Sequence, residues 1–336
     1  MVRVGIAGGS GYAGVELIQI LLRHPQVEIV WLSSQNHAGK KPGQVYPNLR
    51  GFLDIPFTPV SQITKTELDV LFTALPHGQA MEIAGTLPRE LSIIDLSGDF
   101  RISDPKLFER FYHFPQTADE EQKRFVYGLT ELNRDKICAA KCVANPGCFA
   151  TATILALSPL FQENWIKGPV FVDSKTGSSG AGHTHGETTH HPRRSNSLFA
   201  YRPFQHQHLP EILQALEKPD HPLVFQTYSA PFVRGIFASH YMQLAKPVTL
   251  KAVAELYQTR YASDFFVRWI PGCPDVNFVR HSNFVDIGAS TQDGFLIVWS
   301  VLDNLQKGAA GQAVQNFNLM FGFPEKTALD TPPVHP

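Results

Sequence analysis

The sequence predicts an α/β fold in two domains: a Rossmann-type dinucleotide-binding domain followed by an α+β domain with a mostly antiparallel sheet. Three observations predict it. Val2 to Ala7 reads as a buried strand that runs into Gly8-Gly9-Ser10-Gly11-Tyr12-Ala13-Gly14, then at once into helical spacing at Val15, Ile18, Leu21 and Leu22, with a second strand from Val27 to Leu32. Two more apolar runs, Leu68 to Leu75 and Leu91 to Leu96, each end in a polar loop containing glycine, as strands of an open parallel sheet do. Beyond Phe232 the pattern changes to short alternating segments, Ile236 to Leu244, Phe265 to Ile270, Phe284 to Ala289 and Phe295 to Leu302, which read as antiparallel strands.

The first turn carries G-x-G-x-x-G in its strand-to-helix context. Gly9 and Gly11 allow a tight turn and close backbone approach to a diphosphate, Gly14 allows close helix packing, and the helix N-terminus attracts the anion, with Ser10, Tyr12 and Ala13 completing the cradle. At the end of the second strand stands Ser33-Ser34-Gln35-Asn36, where an NAD-binding chain carries an acid for the ribose hydroxyls. No acid repels a 2′-phosphate here. Ser33 and Ser34 are expected to donate to it, with Lys40 and Lys41 nearby, so the expected cofactor is NADP(H). Pro76, after the third strand, is expected to line the cofactor. Arg101, after the next, reads either as an anion clamp or as the partner of Asp99 or Asp104.

Cys148 follows the turn Asn145-Pro146-Gly147 and begins a helical run, Ala152, Leu155, Ala156, Leu160. In the first turn of a helix, unpaired N–H groups and the dipole favour a thiolate and can hold an oxyanion, so Cys148 reads as a nucleophile. Ser174 to Gln205 reads as a long polar loop in which Ser178, Ser179 and Gly180 offer a second anion-binding turn. His183, His185, His190, His191, His206 and His208 cluster along the sequence, but their spacing fits no metal pattern, and no metal is expected. Either His206 or His208 is the expected acid/base partner of Cys148, with Glu211 placed to orient it. A dinucleotide site, an activated cysteine and a histidine point to one reaction class: thiolate attack on an acyl phosphate, then hydride transfer to the thioester.

Composition suits this. The 336 residues are 43% hydrophobic and 18% charged with a net charge of -1, which gives no basic surface for nucleic acid. No apolar run approaches the ~18 residues of a membrane span, and the N-terminus opens on a strand rather than a signal peptide, so a cytoplasmic enzyme is expected. Few charges and many phenylalanines suggest surface buried between subunits, hence a homodimer or homotetramer.

These motifs, in this order, resemble the N-acetyl-γ-glutamyl-phosphate reductase family. The resemblance rests on the Gly8 to Gly14 turn, Ala74 to Gly78, Asp95 to Arg101, Tyr127 to Asn133, Asn145 to Thr151, Ser179 to Gly182, His206 to Ile212 and Asp303 to Gln312. It implies a glyceraldehyde-3-phosphate-dehydrogenase-like catalytic domain over 148–307, with 1–147 and 308–336 forming the cofactor domain. It implies Cys148 as the acyl-carrying nucleophile, His206 as acid/base, Glu211 as its orienting group and NADPH as donor. Ser179, Gly180 and Asn304 would approach the cofactor, while Arg101, Asn145 and Arg234 would contact an acyl phosphate substrate in arginine biosynthesis. Thr130, where the family usually has proline, His183 and Gln35 depart from its pattern. Three alternatives share motifs with it: a reductase of a carrier-protein-bound α-aminoadipate phosphate, aspartate-semialdehyde dehydrogenase, and a non-catalytic NADP-binding regulator.

Overall fold

A computed structural model describes residues 1–183 and 186–334, so His185 lies outside the described residues. The chain divides into two compact units, 1–146 with 309–330 and 147–308 with 331–336.

The first unit is built on a seven-stranded sheet. Its strands are β1 (Val2–Ala7), β2 (Val27–Ser33), β3 (Phe57–Thr58), β4 (Val70–Thr73), β5 (Ser92–Asp95), β6 (Phe125–Tyr127) and β7 (Cys142–Ala144). They lie in the order β3-β2-β1-β4-β5-β7-β6, and every pairing is parallel. Strands buried on both faces need continuous apolar runs, and β1 and β4 have them: Val4, Ile6, Val70, Leu71 and Phe72 are fully buried. The order reverses between β1 and β4, which puts the Gly8 to Gly14 turn and the Pro76 turn at the switch point where such sheets bind ligands. The sheet's strands are shorter than their apolar runs suggest, because Leu75 and Leu96 already belong to the turns.

The C-terminal helix Gly311–Met320 completes this unit. Its inward face combines rings and amides. Phe317 packs on Phe72 and His24, Asn318 Oδ1 meets His24 Nε2 at 2.9 Å, and Gln312 and Asn316 both donate to the Gly128 carbonyl. Thr130 joins that network, its hydroxyl accepting from Gln312 at 2.8 Å. A proline there would have no hydroxyl to offer.

The second unit carries another seven-stranded sheet, of β8 (Ile166–Thr176), β9 (Phe199–Tyr201), β10 (Leu223–Ser229), β11 (Ile236–Leu244), β12 (Val267–Trp269), β13 (Val285–Gln292) and β14 (Phe295–Leu302). The order is β12-β13-β14-β11-β8-β10-β9, parallel at β12/β13 and β8/β10 and antiparallel elsewhere. The polar stretch 174–205 is not structureless: it holds a 3₁₀ turn at Ser178–Ala181, a short helix at His191–Arg194 and the edge strand β9. Strand β10 went unread because its polar residues Gln226 and Thr227 interrupt the alternation.

One face of this sheet is covered by the helix Cys148–Gln162, where Ser300 on β14 donates to the Ala152 carbonyl. Pro159 lies inside that helix and has no N–H for the Leu155 carbonyl. Tyr261 supplies the missing donor, its hydroxyl 2.6 Å from that oxygen, and the Tyr257 hydroxyl donates to the neighbouring Ala156 carbonyl. The other face keeps Phe171 and Tyr241 well exposed, 49% and 40%, side by side with Ile297 in one cross-strand row. Among the described residues no helix is long and apolar enough to cross a membrane.

Candidate active site

Cys148 is the first residue of its helix, and Gly147 before it has extended backbone, φ -72° and ψ 149°, with no side chain capping the helix. The thiol therefore stands at an uncapped N-terminus, where backbone N–H groups are unsatisfied and the dipole favours negative charge. It is partly exposed, as a nucleophile must be. None of the cysteines is in a disulfide. Three neighbours define its position. The Gly147 N–H donates to Glu211 Oε1 at 2.8 Å, a bond to a fully buried carboxylate. A side chain on Gly147 would start 2.2 Å from His208 Nε2, so the imidazole of His208 lies flat against the turn. A side chain on Gly308 would start 2.7 Å from Cys148 Cβ, so the π-helical turn Gln306–Ala310 passes directly over the nucleophile.

His206 lies in a box of rings: Phe149 at 5.4 Å, Phe225 at 5.6 Å, Tyr201 at 5.9 Å and His208 at 4.6 Å between centroids. Its Nδ1 accepts the His208 backbone N–H at 3.2 Å. The neutral ring therefore carries its proton on Nε2, which fixes the tautomer. Burial, and next the charge of Arg202, push its pKa down to about 3. His208 opens the helix His208–Ala215, and Pro210 is accommodated because the first turn needs no N–H there. The bond recorded for Glu211 goes to the nucleophile's own turn. Among the described residues no group of three His, Cys, Asp or Glu could hold a metal.

In the first unit the glycine turn is tighter than G-x-G-x-x-G alone implies. The positive φ, +82°, is at Gly8 rather than at Gly9 or Gly11, and a Cβ there would lie 2.3 Å from the Ala74 carbonyl oxygen. A Cβ on Gly14 would lie 2.3 Å from the Gly8 oxygen, while Gly9 rests on Phe57 and Leu32. Gly11 alone meets nothing closer than 3.6 Å, and it precedes the helix Tyr12–Leu21 with no side-chain cap. Its surroundings and the orphan amides of the helix fit the diphosphate of a dinucleotide. Ser33 Oγ accepts the Gly8 N–H at 3.0 Å, and Ser34 Oγ lies 2.6 Å from Ser10 Oγ. Lys41 pairs with Asp54.

The chain matches two family models, semialdehyde dehydrogenase, NAD binding domain, over residues 3–140 and semialdehyde dehydrogenase, dimerisation domain, over residues 148–304. It is 42% identical over 337 residues to an N-acetyl-gamma-glutamyl-phosphate reductase of Methanocaldococcus jannaschii, with 98% of each chain covered, and 41% identical over 342 residues to one of Clostridium novyi, with 99% of each covered. The chain belongs to the N-acetyl-gamma-glutamyl-phosphate reductase family. Among solved structures it is similar in fold to aspartate semialdehyde dehydrogenase II from Vibrio cholerae, with TM-score 0.74, 16% identity and 96% and 98% of the two chains covered. A probable aspartate-semialdehyde dehydrogenase from Pseudomonas aeruginosa gives TM-score 0.72 at 18% identity, covering 95% and 98%.

Several residues of this reductase-family chain that were expected at ligands are held by other groups. Arg101 Nε donates to the Asn145 carbonyl at 2.7 Å and a terminal guanidinium nitrogen to the Leu96 carbonyl at 2.9 Å. Asn145 donates to the Ala309 carbonyl and accepts from Asn316. Arg234 grips Asp303 with two donors, at 2.9 and 3.0 Å, and Asp303 also caps Leu305 and Gln306. The Ser178 to Gly180 turn is no anion nest: the amides of Gly177, Ser178 and Ser179 donate to carbonyls of Gly235, Phe232 and Val233, and that of Gly180 to Gly177. The reason is that the turn pairs with the 232–235 segment as an extension of the sheet. The Asn304 side chain ties the two, donating to Ser179 Oγ at 2.9 Å and accepting the Gly235 N–H at 2.7 Å. Tyr201, Gly8 and Gly308 went unread as site residues, since only close approach in space distinguishes them.

Proposed function

We propose that this chain reduces N-acetyl-γ-glutamyl phosphate to N-acetylglutamate semialdehyde and phosphate with NADPH, in arginine biosynthesis. The observation that carries the reading is Cys148 at an uncapped helix N-terminus, with His206 and His208 beside the same turn. The Cys148 thiolate attacks the acyl carbon, phosphate leaves, and a thioester remains on the sulfur. Amides of the first helical turn stabilise the oxyanion of this step. The Gly9, Ser10, Gly11, Tyr12, Ala13, Gly14 turn beside Pro76 would hold a reduced nicotinamide dinucleotide, which would supply the hydride. His206 takes the proton of the Cys148 thiol, lends it to the oxygen left negative by hydride addition, and takes it back as the C–S bond breaks, which releases aldehyde and thiolate. Glu211 acts through the Gly147 N–H to set the angle of the nucleophile's turn, and Asn304 with Ser179 and Gly180 shapes the facing loop. We assign Arg101, Asn145 and Arg234 to positioning rather than to substrate: Arg101 donates to the Leu96 and Asn145 carbonyls, Asn145 to the Ala309 carbonyl, and Arg234 to Asp303.

NADP is preferred to NAD because the end of β2 carries Ser33-Ser34-Gln35-Asn36 and no acid. A homo-oligomer forms through the open sheet face, where a second copy would cover Phe171, Tyr241 and Phe295. The deciding assay is phosphate-dependent reduction of NADP⁺ by N-acetylglutamate semialdehyde, beside aspartate semialdehyde and with NAD⁺ as competitor cofactor. Turnover of the acetylated aldehyde alone, lost in Cys148→Ser, is expected. Equal turnover of aspartate semialdehyde would overturn the substrate, and a preference for NAD⁺ would overturn the cofactor.

A further inference from the structure

Asp99 is fully buried, and the chemistry proposed above makes no use of it. Its carboxylate caps a helix that follows a different strand. The helix Gln79–Ala84 starts after Gly78, which stands at φ +89° and has no side chain to offer the first amides. Asp99 supplies the acceptors instead: Oδ1 takes the Gly78 N–H at 2.8 Å, and Oδ2 takes those of Ala80 and Met81, each at 3.1 Å. Only an ionised carboxylate accepts at both oxygens without turning an O–H toward these donors. Burial and the charge of Asp95 push its pKa up to about 6, so near neutral pH the fold carries that charge at a cost in stability.

What the charge holds is a turn of the first unit. Asp99 stands after β5 and the capped helix after β4, so the cap fastens the 74–78 turn from its far end. The near end is fixed through Asp95. Thr73, the last residue of β4, donates to Asp95 Oδ1 at 2.6 Å, and the same carboxylate accepts the amides of Ser97 and Gly98. Ser97 Oγ accepts the Asp99 N–H, and Gln116 donates to the Asp99 carbonyl at 2.6 Å, so Asp99 is itself held in place. The turn enclosed in this way abuts the glycine turn. A first side-chain carbon on Gly8 would lie 2.3 Å from the Ala74 carbonyl oxygen, and the Ala74 N–H donates to the Ala7 carbonyl. The two turns form one continuous floor where the strand order reverses.

We propose that Asp99 is a positioning residue for the reduction: as a carboxylate it holds the turn bearing Pro76 in the place from which that turn meets the nicotinamide dinucleotide. The assignment rests on the proposed cofactor site and names the residue that shapes it. Asp99 touches no reactant; it acts through the backbone of Gly78. Groups around its loop that titrate or carry charge are Asp95, Glu82 in the capped helix, and Arg101, His77 and Tyr112, whose side chains converge on the place where Gly98 would bear one. A variant at Asp99 leaves all of them in place, and with them the cofactor's own 2′-phosphate, which titrates near pH 6. A change with pH in the ratio of variant to wild-type affinity therefore reports Asp99.

The test measures NADPH binding by fluorescence titration, beside steady-state kinetics, for wild type and Asp99→Asn. At pH 7.5 the Kd for NADPH should rise about 10-fold, the effect of losing a charge-assisted contact. In phosphate-dependent reduction of NADP⁺, kcat and the KM for N-acetylglutamate semialdehyde should stay near wild type, as should alkylation of Cys148 by iodoacetamide. As pH falls to 5 the ratio of the two Kd values should close toward one, because the wild type then loses the same charge. Equal Kd values at pH 7.5, a ratio that does not move with pH, or a loss confined to kcat would overturn the assignment. Should Asp99→Asn not fold, NADH, which lacks the 2′-phosphate, serves as the probe for wild type alone. Its Kd should then rise as pH falls from 7.5 to 5, and a flat profile overturns the proposal. A wild type that binds neither dinucleotide would remove the cofactor reading itself, an outcome distinct from binding that ignores Asp99.

Discussion

Cys148 stands in a turn in which almost every neighbour leaves no spare room. Gly147 is hemmed by His208 at 2.2 Å and Gly308 by Cys148 at 2.7 Å from where a first side-chain carbon would go. Gly147→Ala and Gly308→Ala should each cost stability of about 1–3 kcal/mol, the usual range for overpacking. Both should slow alkylation of Cys148 more than they slow NADPH binding, as stopped-flow labelling beside a fluorescence titration would show. Equal labelling rates would mean that the turn relaxes freely. His206→Gln should lower kcat about 10²–10⁴-fold, the range for losing a general acid, with NADPH binding intact. Of this site, Cys148 was legible because a proline-glycine turn before an apolar helix is a local signal, and the His206/His208 pair because it precedes a helix. The glycine at 308 was not, since its reason is a contact across 160 residues of chain.

At the scale of elements, the strand-turn-helix at the N-terminus was the most legible feature, because buried strand, glycine turn and helical period all agree within one local stretch. Its tightest point was misplaced all the same. Gly8, at φ +82°, makes the turn, and Ser33 holds it by accepting the Gly8 N–H. Ser33→Ala should leave that amide unpaired and destabilise the unit by roughly 1–3 kcal/mol. Chemical denaturation should therefore show a lower midpoint with no change in slope. In the second unit the stretch 174–205 hid its elements, because a 3₁₀ turn, a four-residue helix and a three-residue edge strand are each too short to show a period.

For the whole molecule, buried titratable groups shape the response to acid: Asp99, pushed up to about 6 by burial and by Asp95, gains stability as it takes up a proton, while two histidines act the other way. Burial holds His206 at about 3 and His240 at about 4, against an ordinary value near 6.5. The folded state keeps both rings neutral while the unfolded chain takes up protons below pH 6.5, so their contribution to stability is constant above that pH and falls below it. The loss is roughly 1.4 kcal/mol per pH unit for each ring until the folded value is reached. Urea midpoints at pH 7.5 and 5.5 should therefore differ, and His240→Phe should narrow the gap. The sheet face bearing Phe171 and Tyr241 governs the other whole-molecule property. Phe171→Glu with Tyr241→Glu should shift the mass by light scattering toward a monomer without loss of secondary structure. A wild-type monomer would dispose of the oligomer.

The return of the last helix to the first sheet has a consequence for how the chain is made. Helix Gly311–Met320 belongs to the unit that begins at Met1, and its amides satisfy Gly128 and Asn145, both laid down long before. On the ribosome the first sheet must wait, with those groups unmatched and Phe72 short of its partner Phe317, while the whole of 147–308 is synthesised. The half of the enzyme that starts first is thus finished last. Loss of a short C-terminal stretch would disable the cofactor unit rather than the catalytic one.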